Sequence, residues 1–237
     1  MQTLELGGLT VRLVGGSDRE GGGNGPLVVL LHGFGAPGDD LVALHRVLDV
    51  PRDVRFAFPH GPEALPWPMG DGGARAWWMI DVQAIEQGIR EGRARDMSRE
   101  TPDGIVPARD AIVNVITELR RRLSPSKLVL GGFSQGAMLS TDVALETDTA
   151  IDGLVLMSGT LLSEDRWKPL MKKRAGLPVM VSHGTHDPIL PYDGAERLAA
   201  ALTEGGLDVD FVRFRGQHEI PPIVLEHASA LVRKITG

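Results

Sequence analysis

Apolar residues along the chain fall into two rhythms. Short apolar runs lie at 27–31, 54–58, 128–130, 154–157, 178–181 and 209–214, most of them rich in β-branched side chains, and most read as strands buried on both faces. Between them, Ile112, Val115, Ile116, Leu119 and Leu123 recur at helical spacing and form one apolar stripe opposite a charged face. Similar helical stretches are expected at 41–48, 137–145, 195–202 and 223–235. Residues 4–14 alternate apolar and polar and are cut by Gly7-Gly8, as in an edge hairpin, before a glycine-rich loop ending at Pro26. Strands alternating with helices predict an α/β fold with a mostly parallel central sheet and helices on both faces. No repeat, low-complexity tract or long linker divides the chain, so one domain over 1–237 is expected, with the polar stretch 87–103 as a mobile insertion or lid.

Composition narrows the function classes. The 237 residues carry 25 basic against 31 acidic side chains, a net charge of −6, and no basic run, so nucleic acid is not an expected partner. No apolar run approaches the ~18 residues of a membrane helix, and the amino terminus lacks a signal-peptide pattern. The absence of cysteine removes disulfides, thiol nucleophiles, thiolate zinc sites and iron–sulfur clusters, and suits a cytoplasmic protein.

In parallel sheets, ligands bind beyond the carboxyl ends of the strands, where helix amino termini present free N–H groups. After the run 128–130 the chain reads Gly131-Gly132-Phe133-Ser134-Gln135-Gly136, a G-x-S-x-G between a strand and a helix. A serine on such a strained turn projects its hydroxyl clear of the sheet, and glycine is needed where a Cβ would collide with neighbouring elements. The pattern alone also fits a turn whose serine caps a helix, so its partners decide. Serine needs a base, and here the order is serine, acid, histidine. Asp187 follows the run 178–181 and His218 follows 209–214. Asp187 would hold the imidazole of His218 in the tautomer that accepts the serine proton. Rival acids fit less well: Asp193 lies beyond a Pro-Tyr turn, Asp210 opens a strand and Glu219 adjoins the base. His32, His45, His60 and His227 receive structural readings. His183, His186 and Asp187 could also form a metal set, but H-x-x-H without a helix is unspecific, and no metal is expected.

Cleavage of an ester passes through an oxyanion that two N–H donors would stabilise. The expected donors are the backbone N–H of Gln135, after the serine, and that of Phe34, between Gly33 and Gly35 in the loop after the first parallel strand. Asp39 or Asp40 could cap the helix that follows.

The segments LHGFGAPGDDL, FPHGP with RAWWMID, GGFSQGAM, SHGTHDPILP and GQHEIPP, in this order, resemble the α/β-hydrolase fold, and within it the phospholipase/carboxylesterase family that includes acyl-protein thioesterases. The resemblance covers nearly the whole chain. It implies a cofactor-free serine hydrolase of esters or thioesters, with Ser134, Asp187 and His218 as triad and the Phe34 and Gln135 amides as oxyanion hole. The chain departs from the eukaryotic thioesterases in having Trp78 where R-A-W-F-D is usual, and in the charged stretch near 90–100. Trp67, Trp77, Trp78, Met79 and Ile80 fall where an acyl pocket would form, and Trp77 and Trp78 could equally be core. The expectation is a carboxylesterase for short- to medium-chain acyl esters. Its alternatives are an acyl-protein thioesterase or lysophospholipase, a peptidase, and a non-catalytic binding protein of the same fold. Apolar loop residues near the site are compatible with a homodimer.

Overall fold

The computed structural model describes residues 1–66, 73–91 and 96–237; Trp67 and part of the stretch 87–103 lie outside them. In chain order the elements are β1 (Gln2–Leu6), β2 (Leu9–Gly15), β3 (Leu27–Leu31), α1 (Leu44–Val47), β4 (Arg55–Pro59), β5 (Glu63–Ala64), β6 (Arg75–Ala76), α2 (Val82–Arg90), α3 (Ile105–Leu123), β7 (Leu128–Phe133), α4 (Gln135–Glu146), β8 (Gly153–Met157), α5 (Glu164–Met171), β9 (Pro178–Gly184), α6 (Tyr192–Glu204), β10 (Asp208–Phe214) and α7 (Pro222–Thr236). An eight-stranded sheet has the order β1-β2-β4-β3-β7-β8-β9-β10. The first two pairings are antiparallel and the rest parallel.

The period of two along each buried strand divides the interior into two cores. Leu27, Val29 and Leu31 of β3, with Leu154 and Leu156 of β8, face one side, where α3 to α6 bring Ile112, Ile116, Leu139, Trp167 and Leu198. Val28, Leu30, Val155 and Met157 face the other, against Leu48 beyond α1 and Val224 and Val232 of α7. Continuous apolar runs are the sequence form of strands covered on both faces.

Residues 41–48 depart from the expected helix. A 3-10 turn, Asp40–Ala43, leads into the single turn α1, and Leu48 is already extended (φ −73°, ψ 123°). No side chain caps either segment, and Pro51 lies just ahead, so a longer helix has no support. The helices α2 and α5 and the small β5–β6 hairpin were not expected from the sequence. Among the described residues no helix is long and apolar enough to cross a membrane.

Candidate active site

Where β7 enters α4, Ser134 holds φ 54° and ψ −115°, a region that non-glycine residues rarely occupy and that costs about 1–3 kcal/mol. Its N–H donates to the Met157 carbonyl at 2.8 Å, which pins the turn to β8. A Cβ on Gly132 would lie 2.4 Å from the Leu31 oxygen, and one on Gly136 2.0 Å from the same atom, so only glycine lets β3 pass this closely. The hydroxyl of Ser134 makes no capping bond to α4. It therefore does not serve the structural purpose that a serine at this position commonly has.

Asp187 and His218 come together from the exits of β9 and β10. His218 Nδ1 lies 2.6 Å from Asp187 Oδ2, and the aspartate side chain has no exposed surface. Asp187 Oδ1 accepts the amides of Ile189 and Leu190 at 2.8 and 3.0 Å. Burial pushes this carboxyl up, but hydrogen bonds from His183, His218 and the Leu190 amide outweigh it and hold the group well below the usual carboxylate range. His218 packs against Phe133, the residue before the serine, with ring centroids 4.7 Å apart. The rival acids are engaged elsewhere. Asp210 pairs with His227 at 2.6 Å, Asp193 faces Arg197, and Glu219 accepts the Gln217 amide. His183 is fully buried while His186 is exposed and bonded to Thr185, so the two do not converge on an ion; among the described residues no group of three or more such ligands forms.

The loop after β3 is tied down from below. His32 is buried, with Nδ1 2.8 Å from the Gly33 oxygen and Nε2 accepting the Gly61 amide at 2.9 Å. This pattern places the proton on Nδ1. The Trp77 indole donates to the His32 carbonyl at 2.9 Å, and the Gln135 side chain accepts the Trp77 amide and donates to the Trp78 carbonyl. Gly33 lies beside Ser134: a Cβ there would sit 3.2 Å from the Phe133 ring and 3.4 Å from the Cβ of Ser134. Besides the backbone N–H expected of it, Gln135 clamps the segment of Trp77 and Trp78 through its side chain, a contact between side chain and backbone that spacing cannot reveal.

Burial pulls the His32 imidazole down from 6.5 to about 4. Between those values the unfolded chain binds a proton at this position and the native protein does not, so stability is full above pH 6.5 and falls as pH drops toward 4. The expected loss attributable to His32 is on the order of 3 kcal/mol. Urea midpoints at pH 7 and pH 4.5 should fall further for the native chain than for His32→Asn. Equal losses would remove His32 as the sensor.

Ser134, His218, Phe34 and Gln135 line one cavity of about 400 Å³, walled by Trp78, Ile80, Val82, Ile85, Met97, Met138, Ile189 and Leu190. Of the two tryptophans proposed for an acyl pocket, Trp78 lines it and Trp77 does not. Both are buried in the same core, Trp77 1% and Trp78 3% exposed, and the Trp77 indole is turned to the His32 carbonyl beneath the loop. Val82 and Ile85 belong to α2, which no described residue buries fully, so this helix roofs the cavity while staying half in solvent.

A mostly parallel sheet with a strained serine after one strand, and an aspartate–histidine pair beyond two later ones, defines an α/β-hydrolase. Residues 21–236 match the phospholipase/carboxylesterase family, and the chain belongs to it. It is similar to acyl-protein thioesterase 1 of Gibberella zeae, 29% identical over 216 residues that cover 87% of this chain and 89% of that protein. The same-named protein of Emericella nidulans is 27% identical, covering 88% and 89%. Among solved structures, esterase PE8 superposes with a TM-score of 0.77 at 26% identity, covering 96% of this chain and 99% of that one. The carboxylesterase of Bacillus cereus shares the fold at a TM-score of 0.71 and 19% identity, covering 96% and 94%.

Proposed function

We propose that the chain, acting as a single domain over residues 1–237, is a serine hydrolase that cleaves carboxylic esters of short to medium acyl chains through an acyl-serine intermediate, without a cofactor. The observation that carries this reading is the strained Ser134 sharing one apolar cavity with His218, whose other ring nitrogen faces Asp187. Ser134 Oγ attacks the acyl carbon while His218 Nε2 takes its proton. Asp187 keeps the remaining imidazole proton on Nδ1 and stabilises the imidazolium. The backbone N–H groups of Phe34 and Gln135 receive the oxyanion, and Trp78 with the α2 side chains holds the acyl chain. Collapse expels the alcohol, protonated by His218, and a water activated by the same imidazole releases the acid. A chain without cysteine suits the reducing cytoplasm as its place of action.

A second reading, hydrolysis of protein- or lipid-bound acyl groups as a thioesterase or lysophospholipase, is favoured by the names of the fungal relatives. Rates on p-nitrophenyl esters from acetate to palmitate, beside the matching acyl thioesters, separate the two. The expected optimum is a short to medium ester, because Trp78 and α2 bound the cavity. A palmitoyl thioester optimum would replace the first reading with the second. A fluorophosphonate probe should label the protein; a folded chain that resists it would instead be a binding module.

A further inference from the structure

One more titratable side chain reaches the proposed triad, from behind. His183 of β9 is completely buried, and its Nε2 lies 2.8 Å from the Leu190 carbonyl oxygen and 3.2 Å from Asp187 Oδ2. Both neighbours are acceptors, so the proton resides on Nε2, directed to the Leu190 carbonyl with Asp187 Oδ2 as the longer second contact. The other nitrogen, Nδ1, is buried without a hydrogen-bond partner. An apolar side chain of similar size would fill this place without an unsatisfied acceptor, so packing alone does not account for an imidazole here. What the ring supplies is the N–H at Nε2.

That N–H completes the coordination of one carboxylate. Oδ1 takes two amides of the loop 187–190, and Oδ2 takes His218 at 2.6 Å with His183 Nε2 a further 3.2 Å contact. The Leu190 carbonyl binds His183 in return, so the loop and the ring hold each other. We propose that His183 is a positioning residue of the catalytic apparatus, whose Nε2–H fixes Asp187 Oδ2 in line with His218 Nδ1 and withdraws charge from that oxygen. This rests on the reading of Ser134, Asp187 and His218 as a triad.

With one donor fewer, Oδ2 concentrates more negative charge and holds a protonated His218 more firmly. The acid limb of the pH–kcat/KM profile then moves to higher pH, and kcat falls because Oδ2, with Oδ1 still held by two amides, loses the second contact that aligns it with His218. The groups that face this centre are His183 from β9 and His218 from the loop after β10. Tyr192 of α6 lies with its ring 6.4 Å from that of His183, while His186 turns to Thr185 and Glu219 to the Gln217 amide.

The test is a set of three substitutions. His183→Met removes the donor, and His183→Asn is too short to present one at the Nε2 position. His183→Gln places its amide nitrogen the same number of bonds from Cβ as Nε2. Met and Asn should lower kcat about 10- to 100-fold, the effect of losing a hydrogen bond to a charged group, with KM within about twofold and the acid limb displaced upward. Gln should recover most of kcat and return the limb to its original pH. If the Met variant fails to fold, the Asn and Gln pair carries the comparison. A native-like kcat in Met or Asn, a loss in KM alone, or a lowered kcat with an unmoved limb would overturn the proposal. Failure of the underlying reading would look different: the native chain would be inactive, or Ser134→Ala would remain active.

Discussion

Replacing Ser134 by alanine is expected to lower kcat on a short acyl ester by about a million-fold, with the fold kept. In serine hydrolases the nucleophile acts as a unit with its base, and losing it leaves only the catalysis supplied by oxyanion donors and substrate binding, about 10³–10⁴ over water. Stability should change little, within about 0.5 kcal/mol, because the hydroxyl makes no capping bond to α4 and the turn is held by the Ser134 amide on Met157 and by Gly132 and Gly136. Alanine inherits the same left-handed backbone without relieving it. Burst kinetics and fluorophosphonate labelling in the native chain, both absent in the variant with an unchanged urea midpoint, form the expected result. A variant that keeps more than about a hundredth of the native rate would mean that another group is the nucleophile.

The proposed reacting groups were legible in the sequence because strand, turn and helix leave different marks. Ser134 stood between a β-branched run and a helical stripe, and Asp187 and His218 stood where two later apolar runs stop. Burial on both faces made the runs of β7 and β9 continuous and easy to place, whereas β10, at the edge of the sheet with only Val212 buried, alternates apolar and polar residues. The supporting groups left no such mark. His32 and His183 each act on a backbone atom or a carboxylate brought close only by folding, and neither partner is recognisable from residue type or spacing. His183 even suggested a metal ligand, because H-x-x-H reads the same whether the two rings converge or, as here, one is buried and the other exposed. Trp77 and Trp78 are adjacent and identical in chemistry, and both are buried in one core; that Trp78 alone also lines the cavity, while the Trp77 indole meets the His32 carbonyl, is not legible from their spacing. The helix α2 went unread although Val82, Ile85 and Ile89 keep helical spacing, because it is only nine residues long and runs into the polar stretch 87–103. In α5, Pro169 lies inside the helix and masks it.

Asp187→Asn should lower kcat about 10⁴-fold while leaving Ser134 and the cavity intact, and the reason is a matter of which atom faces which. Oδ1 accepts two amides, those of Ile189 and Leu190, so the single oxygen of an asparagine is drawn to that side. Its NH₂ group is then left at the Oδ2 position, facing His218 Nδ1 and the Nε2–H of His183. Two donors oppose each other on the His183 side. On the other, His218 pairs with the new amide only by accepting through Nδ1, which moves its proton to Nε2, the nitrogen needed as a base. The imidazole remains in place in the wrong tautomer, and no carboxylate remains to stabilise an imidazolium. The variant should therefore bind substrate with nearly native KM and fail in kcat. An activity within tenfold of native would displace Asp187 from its role. The double variant Ser134→Ala/Asp187→Asn should be no slower than Ser134→Ala alone, since an aspartate that works only by steering a base has nothing left to steer once the nucleophile is gone.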